Sequence, residues 1–139
     1  MITVNELMTS QPRLIDPSST LREAARHMKE CACGSMVVGR KKPEGILTDR
    51  DIIIYGLAAG YDPDETPVQN IMTTAVITCF EDESIEHAAD LMSQNDIRRL
   101  VVLDRDHQVV GVLSVTDIVK CTDSNAVNDE VMHHLYKYA

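Results

Sequence analysis

The chain of 139 residues has no tryptophan, one phenylalanine and four tyrosines, so any core it forms must be aliphatic. Its longest unbroken apolar stretch falls far short of a bilayer-spanning helix. No basic amphipathic stretch points to a membrane surface either. Positive charge is scarce: 13 Lys and Arg stand against 22 Asp and Glu, a formal net charge of −9. That balance argues against a sequence-independent hold on DNA or RNA, which needs clustered basic groups. An acidic protein can still bind a phosphate through a few local cations, so the positions of the arginines are informative. Catalytic signatures are missing too, with no Walker loop, Gly-x-Ser-x-Gly, Gly-x-Gly-x-x-Gly or His-Glu-x-x-His. The expectation is a protein that is not an enzyme and requires no cofactor. The N-terminus, Met1-Ile2-Thr3-Val4-Asn5-Glu6, lacks a charged segment leading into an apolar run, so a cytoplasmic location is expected. Cys31, Cys33, Cys79 and Cys121 are then expected to be reduced.

What the chain does have is a repeat of itself. A shift of 64 positions lays Leu7-Met8-Thr9 on Ile71-Met72-Thr73, and Leu21, Ala24, Ala25 and Met28 on Ile85, Ala88, Ala89 and Met92. The same shift lays Met36-Val37-Val38 on Leu100-Val101-Val102. Between Leu7 and Val38 the seven identities are Met8, Thr9, Ala24, Ala25, Met28, Val37 and Val38, against roughly two expected from ordinary composition. After a two-residue insertion the match resumes, with Gly45-Ile46-Leu47-Thr48 on Gly111-Val112-Leu113-Ser114 and Asp51-Ile52 on Asp117-Ile118.

Each copy reads as strand, helix, strand, strand, helix. Leu21, Ala24, Ala25 and Met28 form one face of a helix; Thr20 with Glu23 is a capping-box start, and Ser84 opens the equivalent helix. Short apolar strands follow at Met36–Val38 and Leu100–Leu103. Turns lead to returning strands that end near Leu47 and Leu113, and second helices run from about Asp49 to Ala59 and from about Val115 to Cys121. The organisation expected is a first copy over 1–60, a linker over 61–67 rich in turn formers, a second copy over 68–122 and a helical tail over 123–139. One copy alone buries too little apolar surface to be stable. The fold expected is therefore α/β, two βαββα repeats packed sheet to sheet with pseudo-twofold symmetry, with two clefts between them.

The two strand-to-helix junctions, Gly45-Ile46-Leu47-Thr48-Asp49-Arg50-Asp51 and Gly111-Val112-Leu113-Ser114-Val115-Thr116-Asp117, share one pattern: Gly, aliphatic, any residue, Thr or Ser, two residues, Asp. With the duplicated unit around them, they make the chain resemble a pair of cystathionine-β-synthase (CBS) motifs, the Bateman module, over about Val4 to Cys121. The stretch from Leu47 to Gly60 is also similar to that of small stand-alone CBS-pair proteins. The resemblance implies a homodimer and a ligand such as AMP, ATP or another adenosyl compound. It also implies apolar walls for the adenine at Ile46, Ile77, Ile97 and Val112, and phosphate contacts from Arg98 and Arg99.

The residues themselves suit that chemistry. A ribose presents two vicinal hydroxyls, and a carboxylate accepts from both; Asp51 and Asp117 are placed for this in the first turns of their helices. Thr48 and Ser114 offer hydroxyls beside the amides of a helix start, where a phosphate oxygen is stabilised. Arg50 and Thr116 stand next to the two aspartates. The first copy has Gly34-Ser35 where the second has Arg98-Arg99, so the two clefts are expected to be unequal. Thr48-x-x-Asp51 and Ser114-x-x-Asp117 are also plain helix caps, and duplication copies caps as readily as sites. Arg98 and Arg99 are also readable as solvated or ion-paired side chains.

Cys31-Ala32-Cys33 lacks the Cys-x-x-Cys spacing of common zinc or thioredoxin sites. Cys33, beside the cleft with Gly34, reads as apolar packing. Adjacent His133 and His134 point in different directions on a helix, so a metal site there is disfavoured. Val127, Val131, Leu135 and Tyr138 have helical spacing and want a partner. The leading reading is a sensor whose output goes to an unidentified effector protein. The alternative is a nucleotide-independent interaction module responsive to metal or redox state through its cysteines.

Overall fold

Of the four residues spaced for one face of the first long helix, Leu21, Ala24 and Met28 are buried while Ala25 is exposed; in the second long helix Ile85, Ala88, Ala89 and Met92 are all buried. These elements come from a computed structural model that describes residues 1–121, with Cys121 described by its backbone alone. In chain order the first half has α1 (Val4–Leu7), β1 (Thr9–Ser10), β2 (Leu14–Ile15), α2 (Leu21–Cys31), β3 (Ser35–Val38), β4 (Gly45–Thr48) and α3 (Asp49–Asp51). A π-helical turn (Ile52–Leu57) and a 3-10 turn (Val68–Asn70) follow, then β5 (Thr78–Phe80), α4 (Ile85–Asn95), β6 (Arg99–Leu103), β7 (Val109–Ser114) and α5 (Val115–Cys121). The stretch 123–139, expected above to be helical, lies outside the described residues, as do His133 and His134. Among the described residues no helix is long and apolar enough to cross a membrane.

The protein is mixed α/β with two sheets, and it divides into two compact units. One is Arg13–Val76, with sheet order β2-β3-β4, β2 parallel to β3 and β3 antiparallel to β4. Its core gathers Ile15, Leu21, Ala24, Met28, Met36, Val38, Leu47 and Val68. The other is Met1–Pro12 together with the described residues from Ile77 to Cys121, with sheet order β1-β7-β6-β5. Here β5 is parallel to β6, and β7 is antiparallel to both β6 and β1. Val4, Cys79, Ile85, Ala88, Met92, Leu100, Val102, Leu113 and Ile118 lie in its core.

The sequence repeats and the compact units do not coincide, because each unit takes its Met-Thr segment from the other copy. Thr9 and Ser10 pair with Val112 and Gly111, while Thr73 bridges to Ile46. The repeated glycines make both crossings possible. A Cβ on Gly45 would lie 2.9 Å from the carbonyl oxygen of Thr73, and one on Gly111 would lie 3.0 Å from that of Thr9, with the Met72 and Met8 side chains closer still.

The helix starts follow the sequence closely. Glu23 N–H donates to Thr20 Oγ1 and His87 N–H donates to Ser84 Oγ, each at 3.2 Å. The second helix of the first copy differs: after Asp51 the chain widens into π-type bonding, with Ala58 N–H donating to the carbonyl of Ile53 at 2.8 Å. Three consecutive β-branched isoleucines crowd an α-helical backbone at χ1, and Gly56 lies against Leu21, where a Cβ would be 2.8 Å from Leu21 Cδ1. The linker is docked rather than free. Leu21 N–H donates to Thr66, Val68 N–H donates to Ser19, Thr66 is buried, and Arg22 ion-pairs with Asp64.

Each unit also ties a hairpin turn back to the segment after its parallel strand. Arg40 pairs with Asp16 at 3.0 Å, and Arg105 pairs with Asp82 at 2.7 Å while lying 4.2 Å from the Phe80 ring centroid. Hydrogen bonds from Ser18, and then the charge of Arg40, hold Asp16 below the usual carboxylate range, and Arg105 does the same for Asp82.

Alanine at Gly45 or Gly111 forces an overpacked backbone crossing and should cost about 1–3 kcal/mol, read as a lower urea midpoint with unchanged slope; an unaltered midpoint would show that the crossings do not form. Burial, with the charge of Glu83 second, pushes the Cys79 thiol up to about 12. The unfolded thiol ionises first, near its ordinary value of 9.0, so this contribution to stability is whole below that pH and is lost as pH rises toward about 12. Cys79 should therefore resist alkylation at pH 8 until the chain is unfolded, and rapid labelling of the native protein would contradict its burial.

Candidate functional site

At Thr48 the extended strand β4 turns into α3, and the turn is closed by two reciprocal bonds. Asp51 N–H donates to Thr48 Oγ1 at 3.0 Å, and Thr48 N–H donates to Asp51 Oδ2 at 2.9 Å. The second unit repeats this at the start of α5. Asp117 N–H donates to Ser114 Oγ at 3.2 Å, and Ser114 N–H donates to Asp117 Oδ2 at 2.9 Å. Caps of this kind are worth about 1 kcal/mol each. Both aspartates are half-buried. Each spends only Oδ2 on the cap, and among the described residues no hydrogen bond reaches Oδ1. A carboxylate offers lone pairs on both oxygens, so capping and ligand contact are compatible at one residue.

The first turn of α3 is less open than the sequence suggested. Asp49 N–H already donates to the Gly34 carbonyl at 2.9 Å, Arg50 N–H to Asp49 Oδ1 at 2.8 Å, and Asp51 N–H to Thr48. What remains at Thr48 is the hydroxyl proton, since Oγ1 accepts in the cap but can still donate.

Strand alternation sorts the other candidates. In β4, Gly45 and Leu47 are buried while Ile46 and Thr48 are half-buried on the opposite face; in β7, Leu113 is buried while Val112 and Ser114 are half-buried. Each unit thus sets one aliphatic side chain and one hydroxyl two residues apart on one face. Ile77 and Ile97 are partly buried and pack against the core of their own unit.

Arg98 and Arg99 are exposed and adjoin the second junction. Arg99 is the register partner of Ser114 across β6 and β7, and the Arg98 carbonyl accepts from Val115 N–H at 3.0 Å. The first unit has the same geometry with other residues: Ser35 is the partner of Thr48, and the Gly34 carbonyl accepts from Asp49 N–H. The structure therefore groups Arg98, Arg99, Val112, Ser114, Thr116 and Asp117 in one unit, and Cys33, Gly34, Ile46, Thr48, Arg50 and Asp51 in the other. Arg50 and Thr116 are exposed. Thr9 and Thr73, which run alongside Val112 and Ile46, did not emerge as neighbours of the site, although the repeated Met-Thr pair was visible in the sequence.

Cys33 departs from the expected free thiol: its sulfur is bonded to that of Cys31. Ala32 caps α2 in the left-handed conformation, with φ 54° and ψ 40°, which folds the chain back and leaves the two Cα atoms 5.3 Å apart. That separation lies within disulfide range.

The chain matches the CBS domain family twice, over residues 4–57 and 68–123. It belongs to that family, as a CBS pair. A CBS domain-containing protein of Bacillus subtilis, YhcV, is 36% identical over 126 residues, covering 90% of this chain and 89% of the relative. Hypoxic response protein 1 of Mycobacterium tuberculosis is 29% identical over 129 residues, covering 91% and 90%. A crystal structure of Hypoxic Response Protein I, with two coordinated zinc ions, has a TM-score of 0.77 over 86% of this chain and 98% of that one, at 30% identity. A CBS domain protein from Pyrobaculum aerophilum, complexed with AMP, has a TM-score of 0.78 at 27% identity, covering 95% of this chain and 99% of that one.

Proposed function

We propose that this CBS pair is a regulatory module, not an enzyme, that binds an adenine nucleotide, AMP or ATP, at its strand-to-helix junctions. The observation that carries the reading is the second junction. There a capped aspartate keeps one carboxylate oxygen without a partner among the described residues, in the same unit as two exposed arginines that adjoin its hydroxyl residue. Asp117 would accept from the ribose hydroxyls, and Arg98 or Arg99 would hold the phosphate through charge-assisted bonds. The half-buried Val112 and Ile97 would offer apolar surface to the base. The first junction has the same carboxylate at Asp51 and an aliphatic partner at Ile46. With Gly34 and Ser35 in place of the arginines, its phosphate contacts would fall to Thr48 and Arg50. The AMP complex of the Pyrobaculum aerophilum protein supports an adenosyl ligand in general.

A nucleotide shifts a conformational equilibrium only by its differential affinity for the two states, and the reader of that shift is proposed to be a separate effector protein. We also propose that the chain works as a homodimer. Ile53 and Leu57, four positions apart on the π-helical turn and so on neighbouring parts of its surface, are 58% and 63% exposed, and exposed apolar side chains grouped in this way mark interaction sites.

AMP or ATP should raise the melting temperature; at a hundredfold excess over Kd the stabilisation is about 2.7 kcal/mol. Asp117→Ala combined with Arg99→Ala should abolish the rise, and a melting curve unmoved by any adenine nucleotide at millimolar level would overturn the reading. Sedimentation should give a dimer that Ile53→Glu with Leu57→Glu converts to a folded monomer; a monomer in the parent chain would refute the dimer.

A further inference from the structure

We infer that Cys31 and Cys33 form a reversible dithiol–disulfide site whose oxidation state is passed through Gly34 to the start of α3. The two units act as an internal control. In the second unit Asn95, Asp96 and Ile97 occupy the places of Cys31, Ala32 and Cys33 and build the same turn without sulfur. Asp96 has φ 54° and ψ 41°, against 54° and 40° at Ala32. Ile97 N–H donates to the Met92 carbonyl at 3.0 Å, as Cys33 N–H does to Met28 at 3.1 Å. The fold does not need the bond to make this turn. A bridge that spans one intervening residue also removes very little freedom from the unfolded chain, since the gain grows with loop length. A structural staple is therefore a poor account of the pair.

Access and connection favour exchange. Cys31 is exposed and Cys33 half-buried, so Cys31 is the entry thiol. Its thiolate attacks a disulfide of glutathione or protein type and releases one thiol, forming a mixed disulfide. The Cys33 thiolate then attacks Cys31 Sγ, releases the second thiol and closes the Cys31–Cys33 bond. Two electrons pass from the two cysteines to the oxidant disulfide, and the two protons end on the thiols released. Excess dithiol reverses the sequence.

Cys33 is also tied at both ends to elements that matter. Its own N–H closes α2, and the next carbonyl, that of Gly34, is the acceptor for Asp49 N–H at 2.9 Å. The chain passes closely there, since a Cβ on Gly34 would lie 3.2 Å from Asp49 Oδ2. A torsional change at Cys33 on opening the bond therefore reaches the first amide of the helix that carries Asp51. This inference stands on the first unit alone and does not depend on a nucleotide being bound.

Tryptic cleavage after Lys29 and Arg40 puts both cysteines, and neither Cys79 nor Cys121, in one peptide covering 30–40. Differential alkylation of the full chain across ratios of reduced to oxidised glutathione should show that peptide passing from two blocked thiols to none in one step, with circular dichroism unchanged. Hydrogen exchange at the Asp49 amide should change at least several-fold between the two forms, and should not respond to the redox buffer in Cys31→Ser with Cys33→Ser. A peptide that stays dithiol in excess oxidised glutathione, that stays bonded in excess dithiothreitol, or that accumulates as the glutathione adduct, overturns the site. Equal exchange at Asp49 in both forms overturns the transmission.

Discussion

The reciprocal cap between a strand's last hydroxyl residue and the aspartate three positions on is the constraint around which each unit is organised. The buried strand delivers Leu47 or Leu113 to the core, and the cap ends the extended conformation immediately afterwards. It satisfies two backbone amides that a strand-to-helix change would otherwise leave without partners. It also fixes the rotamer of a half-buried carboxylate while occupying only one of its oxygens. Structural and ligand-binding roles for Asp51 and Asp117 are therefore not rivals, because the cap leaves Oδ1 of each carboxylate without a hydrogen bond among the described residues.

Seen from the cap, five of the seven positions in the pattern have a physical reason. The glycine admits a backbone crossing at its position. The aliphatic residue after it is half-buried on the face shared with the hydroxyl, and the leucine fills the core from the other face. The hydroxyl and the carboxylate close the turn. The repeat preserves this frame and varies what is attached to it: Arg98-Arg99 beside one junction and Gly34-Ser35 beside the other, Asn95-Asp96-Ile97 at one helix end and Cys31-Ala32-Cys33 at the other. Duplication has kept the backbone geometry and freed the side chains around it to differ.

Much of this was legible in the chain alone because it is local. The helix faces of α2 and α4, the hydroxyl caps at Thr20, Ser84, Thr48 and Ser114, and the short buried strands all follow from spacing within a few residues. The π-helical turn at Ile52–Leu57 was not legible, since apolar periodicity over so short a span does not separate i→i+4 from i→i+5 bonding. The docking of the linker was not legible either, since Thr66 is buried against the start of α2 through backbone bonds that leave no mark on composition.

By itself the sequence determined the duplication, the strand-helix-strand-strand-helix order within each copy, and the residue types at both junctions, because those are properties of neighbouring positions and of their repetition. Only the tertiary structure decided that Thr9 lies along Val112 and Thr73 along Ile46, so that each compact unit borrows a segment from the other repeat. It alone decided that the amides at the start of α3 are already spoken for, and that a left-handed Ala32 brings two sulfurs together. The reason is common to all of these. Such pairings depend on where a distant backbone group comes to rest, and a linear pattern records which groups can pair but not which of them meet.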